Sequence, residues 1–134
     1  MTATVTYNAN LRTTCLHLQS GSIFETDAPS DNKGQGARFS PTDLIATGLG
    51  GCLITTMGIK AESMDIKIDG AKVDVTKVMM SEPRRIGKII IAVTMPKLDL
   101  DEQTKEILER VGRTCPVERS LHPDMELDIS FTWL

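Results

Sequence analysis

Histidine and cysteine are scarce in this 134-residue chain, at two and three residues, and their scarcity removes several chemistries. Cys15, Cys52 and Cys115 are an odd, sparse set, unlike the dense even framework of a secreted disulfide scaffold, so any pairing among them reads as transient rather than structural. Cys15 and His17 share a strand face, yet no pair of cysteines or histidines has the C-x-x-C or H-x₃-H spacing of a zinc site, and no metal is expected. A serine or cysteine hydrolase wants a histidine base, and neither His17 nor His122 has a local signature for one. His17 reads instead as a hydrogen-bonded strand residue.

Excess positive charge is missing as well. Fifteen Lys and Arg against 18 Asp and Glu leave a formal net charge of −3, with no footprint for nucleic acid or an anionic membrane. Long apolar runs are also lacking. The longest charge-free stretch, Leu44 to Ile59, is short for a membrane span and rich in Gly and Thr. The amino-terminal MTATVTYNANLRTTC has neither the basic nor the apolar region of a signal peptide. Composition, 40% hydrophobic and 25% charged, fits one soluble domain over residues 1–134, placed by these absences in the cytoplasm. A Gly-rich phosphate loop is excluded because GLGG falls within a helical stretch rather than between a strand and a helix.

What is present alternates clearly. Residues 3–26 read as short strands, with ATVTY, TCLHLQ and, after the SGS turn, IFET as the returning strand of a hairpin. DAPSDNKGQG is the one long loop, dense in turn formers. FSPTD opens a helix: Ser40 suits the N-cap, Pro41 the first helical position, and Asp43 the third, from which it can reach back. Ile45, Leu49, Leu53, Met57 and Ala61 follow at i, i+4 spacing, with Leu44 and Ile59 widening the apolar surface, which predicts a helix buried on most sides and ending near Met64. Two or three antiparallel strands follow, through KVDVTKVM and GKIIIAVTMP. A second helix then has Asp99 or Asp101 as N-cap and Ile107, Leu108 and Val111 as its buried stripe. MELDISFTW closes the chain as a strand with one buried face, and the whole order argues for an α+β domain.

The central helix holds the main puzzle. Gly48, Gly50, Gly51 and Gly58 each cost about 1 kcal/mol of helix propensity relative to Ala, a loss that close approach of another backbone, or room for a ligand, would offset. On a helical wheel Cys52 lies near Ile45, Gly48, Leu49, Thr55, Thr56 and Ile59, leaving space over its sulfur. Taken by itself, Cys52 reads first as a small core hydrophobe, the usual role of a free cysteine. Cys115 is different: Pro116 suits the first turn of a new helix, which makes Cys115 a cap residue with its sulfur near helix amides. Cys52 sits three turns into its helix, so a thiolate there would need a cation. Arg12, Arg38, Arg84 and Arg85 are the candidates, and each also reads as a solvated surface charge. Met57, Met79 and Met80 could line a pocket or simply fill the core.

FSPTDLIATGLGGC, followed later by CPVERSL, resembles the OsmC/Ohr family of osmotically induced and organic hydroperoxide resistance proteins, in its OsmC-like branch. The resemblance covers nearly the whole chain. It implies an OsmC-like fold in which antiparallel sheets wrap a long buried central helix, and an intertwined homodimer with active sites at the subunit interface. It also implies thiol-dependent reduction of organic hydroperoxides in oxidative-stress defence, with Cys52 attacking and Cys115 resolving. An external dithiol would be the reductant, with no bound cofactor. Arg12 is the best positional match to the family's activating arginine. The sequence departs where family members carry a Glu that holds this arginine: Thr42 stands there, with Asp43 beside it. A non-enzymatic redox sensor, or a module binding a small apolar ligand, is the alternative reading of the same residues.

Overall fold

The computed structural model describes all residues from Met1 to Leu134. They form two compact units, Met1–Ile45 and Ala46–Leu134. The first is a three-stranded antiparallel meander of β1 (Ala3–Tyr7), β2 (Arg12–His17) and β3 (Ile23–Asp27). The hairpin read from the SGS turn is there, and its register pairs Arg12 with Asp27 and Cys15 with Phe24. The long loop folds back on itself around a short 3₁₀ turn at Ser30–Asn32. Gly34 and Gly36 donate their amides to Pro29 and Ala28, and a Cβ on Gly34 would collide with the Ala28 carbonyl.

Helix α1 (Pro41–Ser63) starts as its sequence predicts. The Ser40 hydroxyl accepts the Asp43 amide at 3.0 Å, and the Asp43 carboxylate accepts the Ser40 amide at 2.9 Å, a complete capping box. Length and apolarity would allow this helix to cross a bilayer, but a core helix passes the same test, and α1 buries one stripe in the second unit.

That unit has a sheet of order β4-β5-β6, from β4 (Lys72–Met80), β5 (Arg85–Met95) and β6 (Glu126–Trp133), with α2 (Glu102–Gly112) and α3 (Pro116–Ser120) between β5 and β6. β4 and β5 are antiparallel, as the sequence suggests; β5 and β6 run parallel, because the helical crossover returns the chain to the end where β5 began. Alternate residues of β5, Ile89, Ile91, Val93 and Met95, pack with Ile129, Leu108 and Cys115 against Ala46, Leu49, Leu53, Met57 and Ala61. Gly50 is there because β4 comes close: a Cβ would lie 2.8 Å from Val75 Cγ2. Asp101 caps α2, accepting the Thr104 amide at 2.7 Å, and of the predicted stripe Leu108 is fully buried while Ile107 and Val111 are half-buried.

One expectation fails within the chain. α1 buries a single stripe rather than most of its circumference: Ile45 is 47% and Ile59 66% exposed, and Gly48 and Gly51 face open space. The residues that turn away from the sheet are as apolar as those that meet it, so the pattern alone could not tell which would find cover in one chain.

Candidate functional site

Two constellations stand out, one in each unit. In the first, the β1–β2 turn carries Ala9, Asn10 and Leu11 at positive φ (68°, 54° and 61°), a run that only asparagine and glycine adopt readily. It is held by amide bonds from Asn8 to the Arg12 carbonyl and from Ala28 to the Leu11 carbonyl. Arg12 opens β2 directly after this turn. Its Nε and Nη2 donate to the two carboxylate oxygens of Asp27 at 2.7 and 2.9 Å, and Nη2 also reaches Gln35 Oε1 at 3.4 Å. Asp27 is buried and takes a further bond from the Ala37 amide at 3.1 Å. The Arg12 hydrogen bonds, above all, hold its carboxyl below the ordinary aspartate value, against the opposing effect of burial; the same pair raises Arg12.

Asp27 was not among the residues singled out in the sequence. The signal for it is the hairpin register, which sets Arg12 and Asp27 opposite one another across β2 and β3. Asp43 is engaged in the capping box, and Thr42 shares a hydroxyl contact of 3.2 Å with Ser40. Of the other arginines, Arg38 pairs with Glu25, and Arg85 donates to the Ser81 and Pro83 carbonyls. His17 bonds Ser20 through Nδ1 at 2.6 Å, as a strand-end histidine should. No three of the His, Cys, Asp and Glu side chains gather as a metal-holding group.

The second constellation joins the two cysteines that the motifs set far apart in sequence. Cys115 ends the α2–α3 connection as the N-cap of α3, its extended backbone followed by Pro116. Its Sγ accepts the Glu118 amide at 3.4 Å. The thiol is fully buried. Burial, first, pushes its pKa up, and a hydrogen bond to Cys52 and the charges of Cys52 and Glu118 push the same way, against the pull of the Glu118 amide. Cys52 lies half-buried on α1 at the border of the buried stripe, on the helix face that also carries Ile45, Gly48, Thr55 and Ile59. All three cysteines are free thiols. Met57 is core, packed where a Cβ on Gly112 would be 2.8 Å from its Cγ; Met79 is half-buried and Met80 exposed beside Gly87.

The arrangement is a pair of interacting thiols, one accessible from one side and one dry. Such a pair can pass between dithiol and disulfide.

No curated protein matches the chain in sequence. The profile of the family described as "OsmC-like protein" matches residues 34–130, which include both cysteine motifs. A crystal structure from Psychrobacter arcticus 273-4, described as an osmotic stress induced and detoxification response protein, is 46% identical over 98% of this chain and 96% of its own, with a TM-score of 0.94. The fold is shared with more distant structures. An organic hydroperoxide resistance protein OsmC from Legionella pneumophila is 16% identical over 97% of this chain and 94% of its own (TM-score 0.72). The organic hydroperoxide resistance protein OhrB of Bacillus subtilis is 18% identical over 98% of each chain (TM-score 0.69). The α+β architecture, the profile across both cysteine motifs and the near-half identity to the Psychrobacter protein agree: the chain belongs to the OsmC/Ohr family.

Proposed function

We propose that the protein is a thiol-dependent peroxidase that reduces organic hydroperoxides in oxidative-stress defence. The observation that carries this reading is the interacting pair of free thiols, Cys52 half-buried and Cys115 buried with a raised pKa. The sulfur that meets solvent attacks; the buried one, held protonated, waits. The Cys52 thiolate attacks the distal oxygen of ROOH, the O–O bond breaks, and the departing alkoxide takes a proton to leave as ROH. Cys52 becomes a sulfenic acid. Cys115 then displaces water from it to form the Cys52–Cys115 disulfide, and an external dithiol restores both thiols by exchange, becoming a disulfide itself. The sum is ROOH plus a dithiol giving ROH, water and a disulfide, with no bound cofactor.

Arg12 enters the proposal as the supporting cation, with Asp27 rather than a helix-start glutamate fixing its guanidinium; Thr42 and Asp43 support it by setting the start of α1. A homodimer with its active sites at the subunit interface belongs to the same proposal. The support is the open stripe of α1, where Ile45, Gly48 and Ile59 leave Cys52 uncovered on one side. A cytoplasmic setting, which keeps dithiol reductants supplied, completes it. Organic hydroperoxide resistance, in the names of the Legionella and Bacillus relatives, supports the substrate class.

The test is intact mass after one equivalent of cumene hydroperoxide. The protein should lose two hydrogens, with Cys52 and Cys115 joined on peptide mapping, and Cys52→Ser should abolish turnover with a dithiol present. Unchanged thiols at micromolar hydroperoxide would overturn the proposal. Oxidation that stops after one equivalent despite excess dithiol would make the protein a sensor instead.

A further inference from the structure

C-P-V-E lays out a capping box, with Cys115 at the N-cap and Glu118 at the third helical position. Only half of the box is built. The Glu118 amide donates to Cys115 Sγ at 3.4 Å, but the glutamate does not complete the reciprocal bond: its Oε2 is buried and has no hydrogen-bond partner. The box on α1 shows what completion looks like, since Asp43 there returns its carboxylate to the Ser40 amide. A buried carboxylate oxygen without a donor is costly and calls for an explanation. Beside it stands a thiol that burial and two neighbouring charges, that of Glu118 among them, keep protonated.

Resting on the peroxidase reading above, we infer that Glu118 is the base of the resolving step. Cys115 must lose its proton to become a nucleophile, and the hydroxyl on the Cys52 sulfenic acid must gain one to leave as water. Glu118 Oε2 takes the proton from Cys115 as its sulfur bonds to Cys52, then passes it to the departing hydroxyl. The S–O bond breaks, the S–S bond forms, and one water leaves with the carboxylate unchanged. No step needs a further co-reactant. The unpartnered oxygen is thus kept empty for a proton that arrives only during turnover. The attack of Cys52 on the peroxide does not use Glu118.

Single-turnover measurement separates the two steps. Reduced wild type and Glu118→Gln are mixed with one equivalent of cumene hydroperoxide and quenched with dimedone at intervals, and sulfenate adduct and disulfide are read by mass. Glu118→Gln should form the sulfenate at the wild-type rate but close the disulfide at least about tenfold more slowly, so that dimedone adduct accumulates. Glu118→Ala should show the same block, relieved by added formate in proportion to its concentration. Disulfide closure at the wild-type rate in Glu118→Gln would overturn the inference. A slow step that formate does not relieve would also overturn it, leaving Glu118 as a positioning residue of the α3 turn. Absence of sulfenate and disulfide in wild type would overturn the peroxidase reading itself, a failure visible before any variant is compared.

Discussion

At the scale of single residues, the chain pairs its charges by register and its thiols by fold. Asp27 is held below its ordinary pKa, so its contribution to stability is complete above the unfolded value of about 4 and is lost as pH falls through the lower folded value. Urea midpoints of wild type should therefore fall on acidification below about pH 4. Asp27→Asn should be less stable at neutral pH and lose that part of the acid slope; matching midpoints at pH 7 would contradict a role for the pair. The thiols make a second prediction. Brief iodoacetamide treatment near neutral pH should label Cys52 well before Cys115, which is fully buried and held protonated, as peptide mapping would show. Cys115 was legible as a cap from its Cys-Pro pair, whereas Cys52 alone reads as a core cysteine and stands out only through the family resemblance that pairs its motif with CPVERSL. Asp27 was not legible, because its partner lies across a hairpin and appears only once the register is fixed. Nor was the orphaned oxygen of Glu118, which depends on a side chain failing to close a box that its position in sequence allows.

At the scale of elements, α1 is specified at its start and constrained in its middle. Ser40→Ala removes the hydroxyl that caps the helix and should cost about 1 kcal/mol in denaturant unfolding. Gly50→Ala should cost more, about 1–3 kcal/mol, because the new methyl meets a branched valine on β4 that cannot rotate away. Gly112→Ala meets the flexible Met57 side chain instead and should be the milder of the two glycine variants; the reverse ranking would mean that β4 yields more easily than α2. The strands, both long helices and their order could be read from period and turn chemistry. The direction of β6 could not. Alternation tells which face of a strand is buried, whereas its direction depends on where the α2–α3 crossover delivers the chain.

At the scale of the whole molecule, the open stripe of α1 is the feature that one chain leaves unexplained. Ile45, Gly48, Cys52, Thr55 and Ile59 recur at three- and four-residue spacing, and the half-buried cysteine sits in the middle of the row. Gly48 and Gly51 forfeit helix propensity although a Cβ on either would meet nothing beyond its own helix turn within 4 Å. A second copy seated on this stripe would supply the missing neighbour and narrow the opening over the thiol. Ile59→Asp sets a charge on the most exposed apolar residue of the row without touching the buried stripe of Leu49, Leu53 and Met57. Light scattering should show wild type at the mass of two chains and Ile59→Asp at the mass of one, with far-ultraviolet circular dichroism unchanged. Turnover of hydroperoxide should fall with the dimer, at every concentration in the variant and only on dilution in wild type, since a thiol open to water on one side loses the enclosure that favours attack. A monomeric wild type with full activity would place the working site within one chain and leave the glycines of α1 to a different cause.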